Sequence, residues 1–233
     1  MKIEFLESTP LTKLYPPVPA KRLIPEWYKE IEIEMAAVQK IGFGTNLSVK
    51  RCIPVLDYMT TGYIIQSHMD IVVKRDWNDA VGENVNFDFR MAEGVPPVVF
   101  HDSKQMPVMR NGHLKKIAKF SGMWGVKTPP GYSCLFFQPQ YFNETRFSVF
   151  PGVVDTDEYT SPIGFPFMMS DSKESETYII EAGTPLVCVV PFKREEWTHE
   201  IKEWDRNDKS AILMRTIWQE TYRKFMHTKK SFD

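Results

Sequence analysis

The stretch Pro129–Met169 reads PPGYSCLFFQPQYFNETRFSVFPGVVDTDEYTSPIGFPFMM, and after a polar insert Tyr178–Phe192 reads YIIEAGTPLVCVVPF. Short runs rich in Val, Ile, Phe and Tyr alternate here with Pro, Gly and Asp. β-Branched and aromatic side chains suit a pleated, half-buried surface, and the punctuating residues suit turns. The pattern therefore predicts several short strands joined tightly. In its middle lies Gly152-Val-Val-Asp155-Thr-Asp157-Glu-Tyr159, an acidic turn pinned between two strands.

Working outward, the rest of the chain favours strands and loops over a helix bundle. Seventeen prolines are spread along most of its 233 residues, which forbids long helices before the last thirty. Met1–Leu6 alternates as a short strand. The five prolines of the segment from Thr9 to Trp27 predict an extended arm. Pro25 and Glu26 suit the first turn of a short amphipathic helix ending near Gly42. Asn46 to Val73 holds two or three strand candidates, and the run NVNFDFRM at 84–91 alternates again. Near the other end, Ile212, Leu213, Ile217, Tyr222 and Phe225 fall at helical spacing, followed by Lys229 and Lys230. The expectation is a mainly β chain with three parts: an N-terminal arm and β-rich region over 1–120, a β core over 121–200, and an amphipathic helix over 201–233. A single continuous domain is the alternative.

Composition excludes several classes. With 29 Lys plus Arg against 30 Asp plus Glu there is no basic excess for nucleic acid. No apolar run reaches the roughly 20 residues that span a bilayer. The start MKIEFLEST lacks a basic region followed by an apolar one, so the expectation is a protein that is not secreted. Cys52, Cys134 and Cys188 are odd in number and lie in apolar runs, as buried thiols in a reducing compartment do.

Two constellations carry chemistry. His68-Met-Asp70 has the spacing to project two ligands from one strand face, as a non-haem Fe(II) site requires, with His101 or His113 as the third ligand. A solvent-facing strand edge is the plainer reading of the same residues. At the acidic turn, Asp155 and Asp157 are candidates either for a ligand site or for turn caps that accept backbone N–H bonds.

From Gly152 to Tyr159, and again from Gly183 to Val190, the order of features resembles the β-clip core of the trimeric dUTPase and dCTP deaminase superfamily. That family carries a glycine, two aliphatics, an aspartate, an acidic residue and a tyrosine. The matching residues are Gly152, Val153, Val154, Asp155, Asp157 and Tyr159, with Glu158 as one extra residue. The resemblance implies that Asp155 touches a deoxyribose hydroxyl and acts as general base on a water, while Tyr159 stacks under the sugar. It also implies a homotrimer with clefts between subunits, and Mg2+ if the nucleotide site is active.

The departures are specific. Where the family places an Arg-Ser pair for the phosphates, this chain has Gln138-Pro-Gln140, with Arg146 as the one nearby substitute. The glutamine of the later strand is Cys188, and a Trp-containing charged segment stands in place of a glycine-rich arm. Triphosphate chemistry needs cationic donors and a metal clamp for developing charge. The expectation is therefore a catalytically degenerate dUTPase-like protein that binds a nucleotide or a protein partner through Asp155, Asp157, Tyr159 and Arg146.

The phrases IPEWYKE, RCIPVLDYMTTGYII, GVKTPPGYSCLF and GTPLVCVVPFKREEW also resemble a family of tailed phages and some bacteria that has no assigned biochemical role. This implies a viral context, in the host cytoplasm or the virion. The alternatives are a structural or assembly protein of a phage particle, and a divergent nucleotide hydrolase or Fe(II) oxygenase.

Overall fold

A computed structural model describes residues 1–33, 47–78, 82–89, 96–102, 105, 116–170, 174–203, 222 and 227–233. In chain order the strands are β1 (Glu4–Glu7), β2 (Val18–Pro19), β3 (Tyr63–Gln66), β4 (Ile71–Asn78), β5 (Gly82–Asp88), β6 (Val98–Asp102), β7 (Lys116–Lys127), β8 (Tyr132–Phe137), β9 (Phe147–Val149), β10 (Gly152–Val154), β11 (Ile163–Met169), β12 (Glu176–Ile180) and β13 (Pro185–Lys193). Among the described residues two short α-helices are present, α1 (Glu26–Glu30) and α2 (Ile53–Thr60). The protein is mainly β, as expected, and the pairings described here are antiparallel. That is consistent with a β-clip core.

The chain divides into two compact units, Met1–Val18 with Gly62–Arg194, and Pro19–Thr61 with Glu195–Asp233. The boundary expected at residue 120 falls inside β7, a twelve-residue strand that cannot be cut there. β7 pairs with β11 along one edge and with β6 and β1 along the other. β11 also pairs with β9. A second sheet of the first unit runs β10–β8–β13–β3, and a third runs β12–β4–β5.

The core of this unit follows from period-two alternation. Along β11, Ile163, Phe165, Phe167 and Met169 are buried and the residues between them are partly exposed. Phe120, Phe147 and Phe167 meet beneath the first sheet, with Phe120 and Phe167 stacked at 4.0 Å. Arg75 is buried with them in the same unit. Its guanidinium donates to the Ser170 carbonyl and, at 3.0 Å, to Glu176 Oε1, so the buried charge is paired.

The second unit contains α1 and α2. The segment that includes α2 reads as strand from its Ile, Val, Leu and Tyr, yet Pro54 sits in the first turn and the eight residues are helical. On α2, Asp57 accepts from His227 Nε2 at 3.0 and 3.1 Å and from Lys230 Nζ at 2.5 Å. Burial works to raise the Asp57 pKa, but the bonds from Lys230 and His227 outweigh it and hold the carboxyl below its usual range. The proline-rich arm is not uniformly extended, because Pro10–Leu14 and Ala20–Leu23 form tight helical turns. Of the C-terminal helix expected over 201–233, residues 201–203 and 227–233 are not helical, and the rest apart from Tyr222 lies outside the described residues. The helix expected to reach Gly42 stops at Glu30, and residues 34–42 lie outside the described residues. Among the described residues no helix is long and apolar enough to cross a membrane.

Candidate functional site

The acidic corner is built where β8, β10 and the end of β13 come together. β10 pairs with β8 through Val154 and Cys134, and β13 pairs with β8 from Cys188–Phe137 to Lys193–Tyr132. After Val154 the chain turns sharply, since the Asp155 carbonyl accepts the amides of Glu158 at 3.1 Å and Tyr159 at 2.9 Å. Thr156 is fully buried and anchors this turn. Its hydroxyl meets that of Thr128 at 2.8 Å, and its carbonyl accepts the Thr128 amide at 3.2 Å.

The two aspartates have different surroundings. Asp157 keeps only 4% of its side-chain surface exposed. It accepts the Gly131 amide at 2.8 Å and both guanidinium nitrogens of Arg194, at 2.8 and 2.5 Å. Gly131 stands at φ +82, a left-handed turn position that glycine takes without strain. Asp155 has 63% of its side chain exposed. Its Oδ1 accepts the Ser133 hydroxyl at 2.6 Å and lies 3.3 Å from Arg194 Nη1.

Arg194, bonded above all to Asp157, holds that carboxyl far below its usual range, at about 2, with the Gly131 amide adding to the effect. The sign of the pH dependence follows. The contribution of Asp157 to stability is complete above the ordinary value of 3.8 and is lost as the pH falls through about 2. The difference in thermal midpoint between the wild type and Asp157→Asn is therefore expected to shrink as the pH is lowered from about 4 to 2. A difference that stays constant over that window would show that the ion pair does not form.

The other expected residues are distributed as follows. Tyr159 is 46% exposed at the rim of the turn. Arg146 belongs elsewhere. Its Nε and backbone N donate to Glu144 Oε1 at 2.9 Å, its Nη2 to Glu144 Oε2 at 2.6 Å, and its Nη1 to the Ile179 carbonyl at 2.9 Å. The guanidinium carbon also lies 4.9 Å over the Tyr178 ring. All of these partners lie outside the corner.

Gln138 is fully occupied as well. Its amide donates to the carbonyls of Glu144 and Phe147 and accepts the Val149 amide at 2.9 Å, stapling the end of β8 to β9. The side chain that stands where a phosphate-binding arginine would be expected thus completes backbone hydrogen bonding.

His68 and Asp70 do not share a strand face, because both lie in the turn between β3 and β4. His68 is buried, which pushes its pKa down, and its Nδ1 has no hydrogen-bond partner among the described residues. Asp70 Oδ1 accepts the Ala182 amide at 2.8 Å. His101 lies on β6, and His113 lies outside the described residues. Among the described residues no three His, Cys, Asp or Glu side chains gather closely enough to hold a metal ion.

A Mg2+ ion fits the corner poorly. The Asp157 oxygens are taken by Arg194 and Gly131, which leaves one oxygen of Asp155 where Mg2+ demands an octahedral oxygen set.

Beside the corner a cavity of about 480 Å3 opens, lined by Gly152 and Val154 of β10, by Ile163, Gly164 and Phe165 of β11, and by Phe136, among others. Its walls are chiefly apolar, with His101, Gln105 and Lys119 as polar members. Ser133 and Arg194 are the residues of the corner that the sequence alone does not single out. Ser133 and Arg194 meet Asp155 only through the long-range pairing of β8, β10 and β13, which no local pattern announces.

No protein-family model matches the chain. No curated protein matches it either. Among solved structures it is similar to the dUTPase from phage phi11 of S. aureus, in a structure visualising the species-specific insert. Identity is 11%, coverage is 90% of this chain and 99% of that one, and the TM-score is 0.36. It is also similar to a mutant dUTPase of Staphylococcus bacteriophage 80alpha with dUpNHpp, at 12% identity, 89% and 90% coverage and a TM-score of 0.35. A mutant of the phi11 dUTPase, described for the coordination of a structural Mg(II) ion, gives 15% identity, 64% and 85% coverage and a TM-score of 0.32. At these values neither activity nor residue roles are transferred.

Proposed function

We propose that this chain is a dUTPase-like β-clip protein that binds the nucleoside end of a deoxynucleotide at the Asp155 corner and does not hydrolyse triphosphates. The observation that carries this reading is the commitment of the corner's cation. The Arg194 guanidinium is bonded to Asp157 and Asp155, so the face offered to a ligand is the free side of one carboxylate. A carboxylate accepts hydrogen bonds from hydroxyls and repels phosphates.

The neighbouring apolar cavity, which reaches Val154, offers space and aromatic walls for a planar base. Gln138 and Arg146, spent on backbone groups and Glu144, support the absence of a phosphate clamp. The same reading implies a homotrimer working in the host cytoplasm.

Calorimetry and thermal shift with 2′-deoxyuridine, dUMP and dUTP test it. Binding of 2′-deoxyuridine should raise the thermal midpoint. Added phosphates should give no gain in affinity, and no pyrophosphate should be released. Asp155→Asn should weaken binding at least about tenfold, since hydrogen bonds to a charged acceptor are the strong ones. Tighter binding of dUTP, with turnover lost in Asp155→Asn, would overturn the inactive reading. No binding of any of the three would remove the nucleoside reading and leave a protein partner or a particle role.

A further inference from the structure

The donors around Ser133 form a chain with only one consistent direction. Arg194 Nη1 lies 3.0 Å from Ser133 Oγ, and Ser133 Oγ lies 2.6 Å from Asp155 Oδ1. A guanidinium can only donate, and an ionised carboxylate can only accept. The serine hydroxyl must therefore accept from Arg194 and send its own proton to Asp155. Ser133 is 1% exposed, so solvent does not compete for that proton.

Arg194 is itself fixed. Its fork grips Asp157, its Nη1 also donates to the Tyr132 carbonyl at 3.2 Å, and its amide donates to the Gly131 carbonyl at 2.8 Å. Asp157 is in turn held by the Gly131 amide. One oxygen of Asp155 is thus occupied from inside the protein. Its Oδ2 has no hydrogen bond among the described residues and belongs to a side chain that is largely exposed.

We infer that Ser133 and Arg194 are positioning residues that fix which oxygen of Asp155 meets the sugar hydroxyl of the ligand. This rests on the reading that the corner binds a deoxynucleoside. Without the serine, Asp155 Oδ1 loses its short bond and the carboxylate swings between rotamers. A ligand hydroxyl then finds its acceptor in place for only part of the time. The base, held in the cavity on the other side of Val154, is not affected by that motion.

The test compares two probes, 2′-deoxyuridine and 2′,3′-dideoxyuridine, which differ only in the hydroxyl. The wild type is expected to bind the first about tenfold more tightly, the gain of one charge-assisted bond. Ser133→Ala, which leaves the Arg194–Asp157 pair intact, should bring that ratio close to one with dideoxyuridine binding unchanged. Arg194→Gln should do the same, and Arg194→Lys should restore part of the ratio.

A merely structural role would weaken both probes alike, and that result would overturn the inference. So would a ratio that survives in Ser133→Ala. If Asp155→Asn abolishes the ratio while the Ser133 and Arg194 variants keep it, the inference fails and the nucleoside reading stands. If the wild type binds neither probe, or both equally, the corner does not read a sugar hydroxyl and both fail.

Discussion

Replacement of Gly62 by alanine is expected to destabilise the first unit by about 2–5 kcal/mol, the sum of a left-handed backbone penalty and an overpacking penalty. Gly62 stands at φ +79 at the entrance to β3. A Cβ there would come 2.3 Å from the Val189 carbonyl oxygen and 2.9 Å from Val190 Cγ2. The first obstacle is backbone within β13, which is paired on both sides by β3 and β8 and cannot move independently. Urea unfolding of the purified variant measures the loss. A midpoint within error of the wild type would mean that the β3–β13 junction is not as described. Gly131→Ala provides the contrast, since its φ is similar but nothing stands within 4 Å of the added carbon. There only the backbone penalty, about 1–2 kcal/mol, should appear.

Phe167→Ala is expected to cost about 3–5 kcal/mol, the usual range for a fully buried phenylalanine. Phe167 is wholly inaccessible and central in its sheet, opposite Ala118 of β7 on one side and Val149 of β9 on the other. Its ring stacks on Phe120 and meets Phe147 and Phe87 edge-on at 5.6 and 5.8 Å. Removing it leaves a void walled by three other rings, which are too tightly seated on their strands to collapse into it. Phe167→Leu fills most of that void and should cost much less. Comparison of the two in urea separates the void from the loss of the stacked pair. An alanine variant that loses less than about 1 kcal/mol would show that the cluster relaxes freely.

Much of the first unit was legible because its strands obey simple alternation. IGFPFMM and the flanks of GVVDTDEY announce themselves through period two and turn chemistry. Ile53–Thr60 did not, because its eight residues are too few to display helical periodicity and its composition is that of a strand. The turn at Asp155 was visible as an acidic interruption, but the different surroundings of its two aspartates were not. Asp157 is drawn in by Arg194, a residue that in sequence merely starts a charged run. Arg146 looked like a stand-in for a phosphate ligand. Glu144, two residues earlier, closes on it first, and only geometry reveals that.

The pairing of β1 with β7 has a further consequence for biosynthesis. Glu4 lies opposite Lys127 and Glu7 opposite Trp124, so β1 leaves the ribosome long before the strand it pairs with. Until then Phe5, which ends up against Tyr63 and Trp124, is left without its partners. Pairings so distant along the chain close slowly and leave apolar surface open to aggregation in the interval. Translation speed and chaperone supply, rather than the stability of the finished protein, should then govern how much of it an expression host recovers.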